Sequence, residues 1–180
     1  MTRKLTILLL PLVLIATACA TTDTLSDPMP GAQPETDIAG IVTAANEGEV
    51  QQGNAASARA TSADVVAFAQ MMVADHTAAL NNGREVFARN NITPAENETT
   101  RALRANSQLT VTNLATYSGT AFDRTYMQTQ VDLHQWLLST LDTALIPSAR
   151  TPELRTLLQT QRASVAAHLE RARQILGSLR

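Results

Sequence analysis

Three histidines, His76, His134 and His168, are the only ones in the chain. With Glu49 they form the set of residues best suited to chemistry. Neutral imidazoles and a carboxylate suit a single transition-metal ion, Zn, Fe or Cu. The same residues also suit a buried hydrogen-bonded network, with Glu49 bonded to a histidine and Tyr126 or Gln130 completing it. A third reading leaves the histidines dispersed and unrelated. No Gly-rich phosphate loop and no Ser/His/Asp or Cys/His arrangement stands out, so no catalytic residue and no reaction are assigned.

Spacing connects the four. Each histidine falls near the middle of a different long helical segment, about 13–16 residues in, so helices rising ~1.5 Å per residue bring all three to a similar depth. His76 lies three and four residues from Val73, Met72, Ala79 and Leu80, at the centre of an apolar stripe. His168 follows Val165 by three and precedes Ala172 by four, and His134 precedes Leu137 by three. Glu49, four after Ala45 and seven before Ala56, interrupts the stripe of the first helix and needs a partner. Glu47 is rotated off that stripe and reads as solvated. Asp75 points roughly 100° away from His76, so it supports a ligand or lies at the surface. Met71, Met72 and Met127 are too scattered for a copper motif and read as core filling; Tyr126 and Trp136 read as packing residues.

The elements that must position these residues are helices. Apolar residues recur at three and four from Ile38 to the end of the chain, with no strand alternation. The spacing predicts helices over about 37–60, 62–90, 95–117, 121–145 and 151–176. Starts are marked by Ser62, by Thr93-Pro94-Ala95-Glu96 read as a capping box, by Thr120 with Asp123, and by Thr151-Pro152-Glu153. Two connections are very short and force antiparallel neighbours, whereas the shorter middle helix leaves room for a crossover. The expected fold is all-α: a ferritin-like four-helix bundle with an additional shorter crossover helix. An up-down bundle with a decorating helix is the other arrangement.

The segment before the helices reads as an address. Arg3 and Lys4 precede an apolar run from Leu5 to Ile15, and Ala16-Thr17-Ala18 leads into Cys19, the only cysteine. This is signal-peptide layout over 1–18. It resembles a bacterial lipobox, with lipidation at Cys19, although Ala16 stands where a larger aliphatic is usual. An ordinary secretory signal is the other reading. Residues 19–37, rich in Pro, Thr and Asp, read as a lipidated N-terminus and tether, and 38–180 as the bundle domain. Ala20 after the cysteine resembles the pattern for an outer-membrane anchor facing the periplasm.

Composition agrees with helices: hydrophobic residues make up 44% but aromatics only 3%, and the apolar set is dominated by the helix formers Ala and Leu. Net charge is −2, and removal of 1–18 takes Arg3 and Lys4 with it, leaving −4. No basic patch invites nucleic acid. The expected partner is a membrane, through the N-terminal lipid.

Glu49-Val50, the run Phe68-Ala69-Gln70-Met71-Met72-Val73-Ala74-Asp75-His76-Thr77, Gly119-Thr120-Ala121-Phe122-Asp123-Arg124-Thr125-Tyr126, His134 and His168-Leu169 resemble the bacterial domain-of-unknown-function 4142 family. The similarity covers roughly residues 38–177. It implies a ferritin-like bundle, exported and often membrane-associated, with no established activity. Val73, Val131 and Val165 stand three before the histidines, where di-iron enzymes of that fold carry Glu. A metal site here would therefore be histidine-rich and mononuclear. Two functions follow: a binding or envelope-maintenance and stress module, or a metal-binding or metal-dependent redox protein using Glu49, His76, His134 and His168, with Asp75, Tyr126 and Gln130 supporting them.

Overall fold

A computed structural model describes residues 32–179; the signal segment, Cys19 and most of the tether lie outside the described residues. The architecture is an all-helical bundle. Four long helices, α1 (Glu35–Ser57), α2 (Ala63–Arg89), α4 (Gly119–Thr140) and α6 (Pro152–Ser178), surround the core. The shorter α3 (Glu98–Leu114) packs chiefly on α1. A π-helical turn, Leu141–Leu145, and a three-residue helix α5 (Ile146–Ser148) extend α4. No described helix is long and apolar enough to cross a membrane.

Two carboxylates define the topology. Asp123, at the start of α4, accepts bonds from Thr61 N, Thr61 Oγ1 and Ser62 N at the start of α2, at 3.0, 2.7 and 2.8 Å. Glu35, at the start of α1, accepts bonds from Arg150 N, Thr151 N and Thr151 Oγ1 at the start of α6, at 2.7, 2.6 and 2.8 Å. Hence α2 and α4 start at one end of the bundle, and α1 and α6 at the other. The antiparallel pairs α1–α2 and α4–α6 are joined by α3, which carries the chain back along the bundle. This is the crossover arrangement, not the up-down one.

Two local readings are corrected here. Asp123 does not pair with Thr120 in a capping box; its carboxylate is engaged by the neighbouring helix. The box read at Thr93 is not formed either, because 92–97 is non-helical. The box belongs to Asn97: its Oδ1 accepts from Thr100 N at 2.9 Å, and Asn97 N donates to Thr100 Oγ1 at 2.8 Å. The preceding segment is held against α1, where Ala95 N donates to Thr36 O at 2.9 Å. A Cβ on Gly40 would sit 2.0 Å from the Ala95 carbonyl oxygen, so only glycine admits this approach.

The core lies in two apolar layers. One holds Ile38, Ile41, Val86, Phe87, Leu154 and Leu158. The other holds Phe68, Met72, Phe122, Tyr126, Met127 and Leu169. In α2 the buried stripe runs Val65, Phe68, Ala69, Met72, His76, Gly83 and Phe87. Leu80, read from sequence as part of that stripe, is only half-buried at its edge. Buried polar residues Asn46, Glu49, Gln52, His76, Gln130, His134 and His168 sit where the two layers meet.

Candidate functional site

The structure brings the three histidines together. His76 comes from α2, His134 from α4 and His168 from α6, and each is at least about nine-tenths buried. Ring centroids lie 5.4 Å apart for His76–His168, 5.6 Å for His134–His168 and 6.1 Å for His76–His134. One nitrogen of each ring lies within 4.8 Å of one nitrogen of each of the others. The dispersed reading therefore fails.

Each ring is held through its other nitrogen. His134 Nδ1 donates to the Gln130 carbonyl, one turn earlier, at 2.9 Å. His168 Nε2 pairs with Asp75 Oδ2 at 3.0 Å. His76 Nδ1 pairs with Asn46 Oδ1 at 2.7 Å. The Asn46 amide is oriented by its own Nδ2, which donates to Val42 O at 2.7 Å. All three partners are acceptors, so the bonded nitrogens carry the protons. In the neutral rings, His76 Nε2, His134 Nε2 and His168 Nδ1 are then bare lone pairs. These same three atoms are buried with no hydrogen-bond partner among the described residues.

Electrostatics keeps two of the rings neutral. Burial lowers His76 to about 3, with the His134 and His168 rings adding to the effect. Burial also lowers His134 to about 4, and His168 lowers it further, against the bond to Gln130 O, which raises it. A cationic imidazole at His76, whose bonded partner is the neutral Asn46 amide, would lose its hydration without gaining a compensating anion.

Glu49 lies behind His134, not among the facing nitrogens. Its Oε1 is 3.6 Å from His134 Nδ1, beyond hydrogen-bond range. The network reading, in which Glu49 bonds a histidine, is thus not the geometry found. Burial pushes the Glu49 carboxyl up to about 8, tempered by the Gln130 side chain. That amide is committed to Gln52, however, with Nε2 donating to Gln52 Oε1 at 3.2 Å, and neither Glu49 oxygen is bonded. Tyr126, fully buried, packs edge-on against Phe68 at 6.3 Å; burial and the nearby Glu49 carboxylate raise its phenol well above its usual value.

Of the supporting residues read from sequence, Asp75 orients His168 and Gln130 orients His134 through its backbone, while Tyr126 stands by Glu49. Glu47 is partly exposed and pairs with Arg104 at 3.2 Å. Sequence reasoning missed Asn46. It sits four after Val42 and three before Glu49, a polar residue on an apolar stripe, the same signal that singled out Glu49.

No curated protein and no solved structure matches the chain. The model of one family, described as a domain of unknown function (DUF4142), matches residues 20–175. That match takes in nearly the whole chain and all three histidines, and the chain belongs to the DUF4142 family.

Proposed function

We propose that the bundle binds one transition-metal ion through His76 Nε2, His134 Nε2 and His168 Nδ1. One observation carries this reading: three buried histidines from three helices bring ring nitrogens within 4.8 Å of one another, and each ring has one nitrogen bonded to an acceptor and the other buried without a partner among the described residues. Bonding of the outer nitrogen fixes the tautomer and orientation of a metal-binding histidine. Leaving three such acceptors buried and unused is costly, and a cation relieves all three at once.

Three neutral imidazoles suit Zn, Cu or Fe and leave a coordination position open, as three-histidine sites do. Nitrogens no more than 4.8 Å apart stand at most about 2.8 Å from a common centre, so ligation at ~2.0–2.1 Å asks each ring to move in by up to about 0.7 Å. Small side-chain rotations supply that. The low affinity of His76 and His134 for protons keeps them available as ligands at neutral pH. On the sequence alone, we place the domain at the cell envelope, tethered by lipid at Cys19.

The test is metal content of the full chain extracted from membranes, followed by titration of the stripped protein with Zn(II), Cu(II) and Co(II). One ion per chain is expected, with loss of stoichiometric binding in His134→Ala and helix content retained. A protein that takes up no metal, or whose uptake is unchanged in all three single alanine variants, overturns the reading. Intact mass of the same preparation tests the anchor: a diacylglyceryl adduct on a chain starting at Cys19 is expected, and an unmodified soluble product overturns it.

A further inference from the structure

A cavity of about 280 Å³ opens directly beside the histidines. Protein interiors leave few voids larger than a water molecule, so a space of this size next to a candidate site calls for an occupant. Its walls are Ile41 and Val42 of α1, Leu141 and Leu145 of the π turn, and Leu157 and Val165 of α6. His76 and His168 form its polar end. Its mouth lies between α2 and α6, where Ala78, Asn82, Thr160 and Ser164 are exposed.

The π turn bears on this. Its hydrogen bonds span five residues where an α-helix spans four, and such turns occur frequently at functional sites. Here it interrupts α4 immediately beside the cavity, and its buried residues Leu141 and Leu145 are wall residues. The Nε2 of Gln161, also on the wall and two turns before His168, is buried and has no acceptor.

The lining selects a ligand class. Among the described residues no Phe, Tyr or Trp lines the cavity, so none of them stacks on an aromatic ring there. Apart from Gln161, polar groups are confined to the histidine end and the mouth, too few and too far apart for a sugar or a peptide. Among the described residues no Arg or Lys lines it, and Asp75 is the only carboxylate, which disfavours an anionic head. At a water's share of volume, ~30 Å³, the space accommodates about nine non-hydrogen atoms.

We propose that this cavity binds an uncharged, medium-chain aliphatic molecule with a hydroxyl or carbonyl oxygen at its end, the oxygen lying toward His76 and His168. The inference rests on and deepens the metal-site reading, because His76 and His168 belong both to the histidine cluster and to the cavity wall. The aliphatic body is recognised by the wall regardless of metal.

The probe is 1-octanol, with octanoate as the charged counterpart. Titration of the metal-free full chain, followed by methyl NMR, should give saturable shifts at Leu141, Leu145 and Val165. Octanoate should bind at least about tenfold more weakly, because its carboxylate would be buried without a cation. Ala79→Phe, at the half-buried mouth, and Val165→Phe, on the wall, should each abolish the octanol shifts while leaving metal stoichiometry unchanged. The two positions differ in burial, so a folding failure at Val165 leaves Ala79→Phe as the test. Absence of saturable octanol binding, or binding unaffected by Ala79→Phe, overturns the proposal. Metal uptake by the same protein, titrated separately, is an independent readout. A chain that binds octanol but takes up no metal would overturn the metal-site reading and leave the cavity assignment standing, whereas one that takes up metal but binds no octanol would do the reverse.

Discussion

Asp75 Oδ2 lies 3.0 Å from His168 Nε2, across the α2–α6 interface, although Asp75 is the chain neighbour of His76. The dipeptide Asp75-His76 therefore serves the site twice. One side chain enters the cluster, and the other reaches round to hold the histidine of the facing helix. The Asp75 side chain is half exposed, so its removal should leave the fold intact. Asp75→Ala is expected to weaken metal binding by ~10–100-fold without changing the helical circular-dichroism signal. Competition against a chromophoric chelator measures this, and an unchanged affinity would show that the bond does not orient the ligand.

Stability of the metal-free protein should peak near pH 6.5. His76 and His134 hold protons less tightly folded than unfolded, at about 3 and 4 against 6.5. The unfolded chain therefore binds more protons below about pH 6.5, and stability falls as pH drops from there. Glu49 has the opposite sign. Its folded value of about 8 against 4.5 makes the native state the greater proton binder up to about pH 8, so stability falls as pH rises from the optimum. Each unmatched proton contributes ~1.4 kcal/mol per pH unit. Urea unfolding across pH 4–9 checks the curve. Glu49→Gln should flatten its alkaline limb and steepen the acid limb above about pH 4.5, where the Glu49 proton partly offsets the two histidines.

Leu158 and Leu80 separate core from margin. Leu158 is fully buried, and Leu158→Ala should cost ~2–5 kcal/mol. Leu80, half-buried at the edge of the α2 stripe, should cost clearly less on the same change. Paired urea midpoints decide this; equal losses would place Leu80 in the core after all.

Asp123→Ala strands Thr61 N and Ser62 N at the start of α2 and removes the bonds to α4. A loss of ~1–3 kcal/mol is expected. Asp123→Asn should recover part of it, because its amide oxygen still accepts. Thermal unfolding of the two variants provides the comparison.

The helices and the convergence of the three histidines were legible because burial stamps a three-to-four period on the chain, and helix depth follows from counting residues. What escaped was decided by contacts remote in sequence. Thr93-Pro94-Ala95-Glu96 has the composition of a helix start, yet that segment is pressed against Gly40, and the helix begins only at Asn97. Asp123 fits a local capping box with Thr120, but its partners lie about sixty residues away. Glu49 was readable as buried, but not the side of His134 on which it lies, because periodicity gives a face and not the arrangement within it. The π turn leaves no mark on hydrophobic spacing at the resolution of one residue.

The two carboxylate clasps have a consequence for how this chain tolerates change in length. Asp123 ties the beginnings of α2 and α4 together, and Glu35 does the same for α1 and α6, so every long helix is anchored at its first turn. From those anchors the chain runs fourteen residues from Ser62 to His76, eleven from Asp123 to His134 and seventeen from Thr151 to His168. Inserting or deleting one residue in any of these stretches would slide its histidine by ~1.5 Å and swing it by about 100°, and the clasp prevents the helix from sliding back to compensate. Beyond the histidines, toward the free ends of the same helices, an insertion leaves the cluster where it is. Length is thus rigidly set on one side of each histidine and permissive on the other.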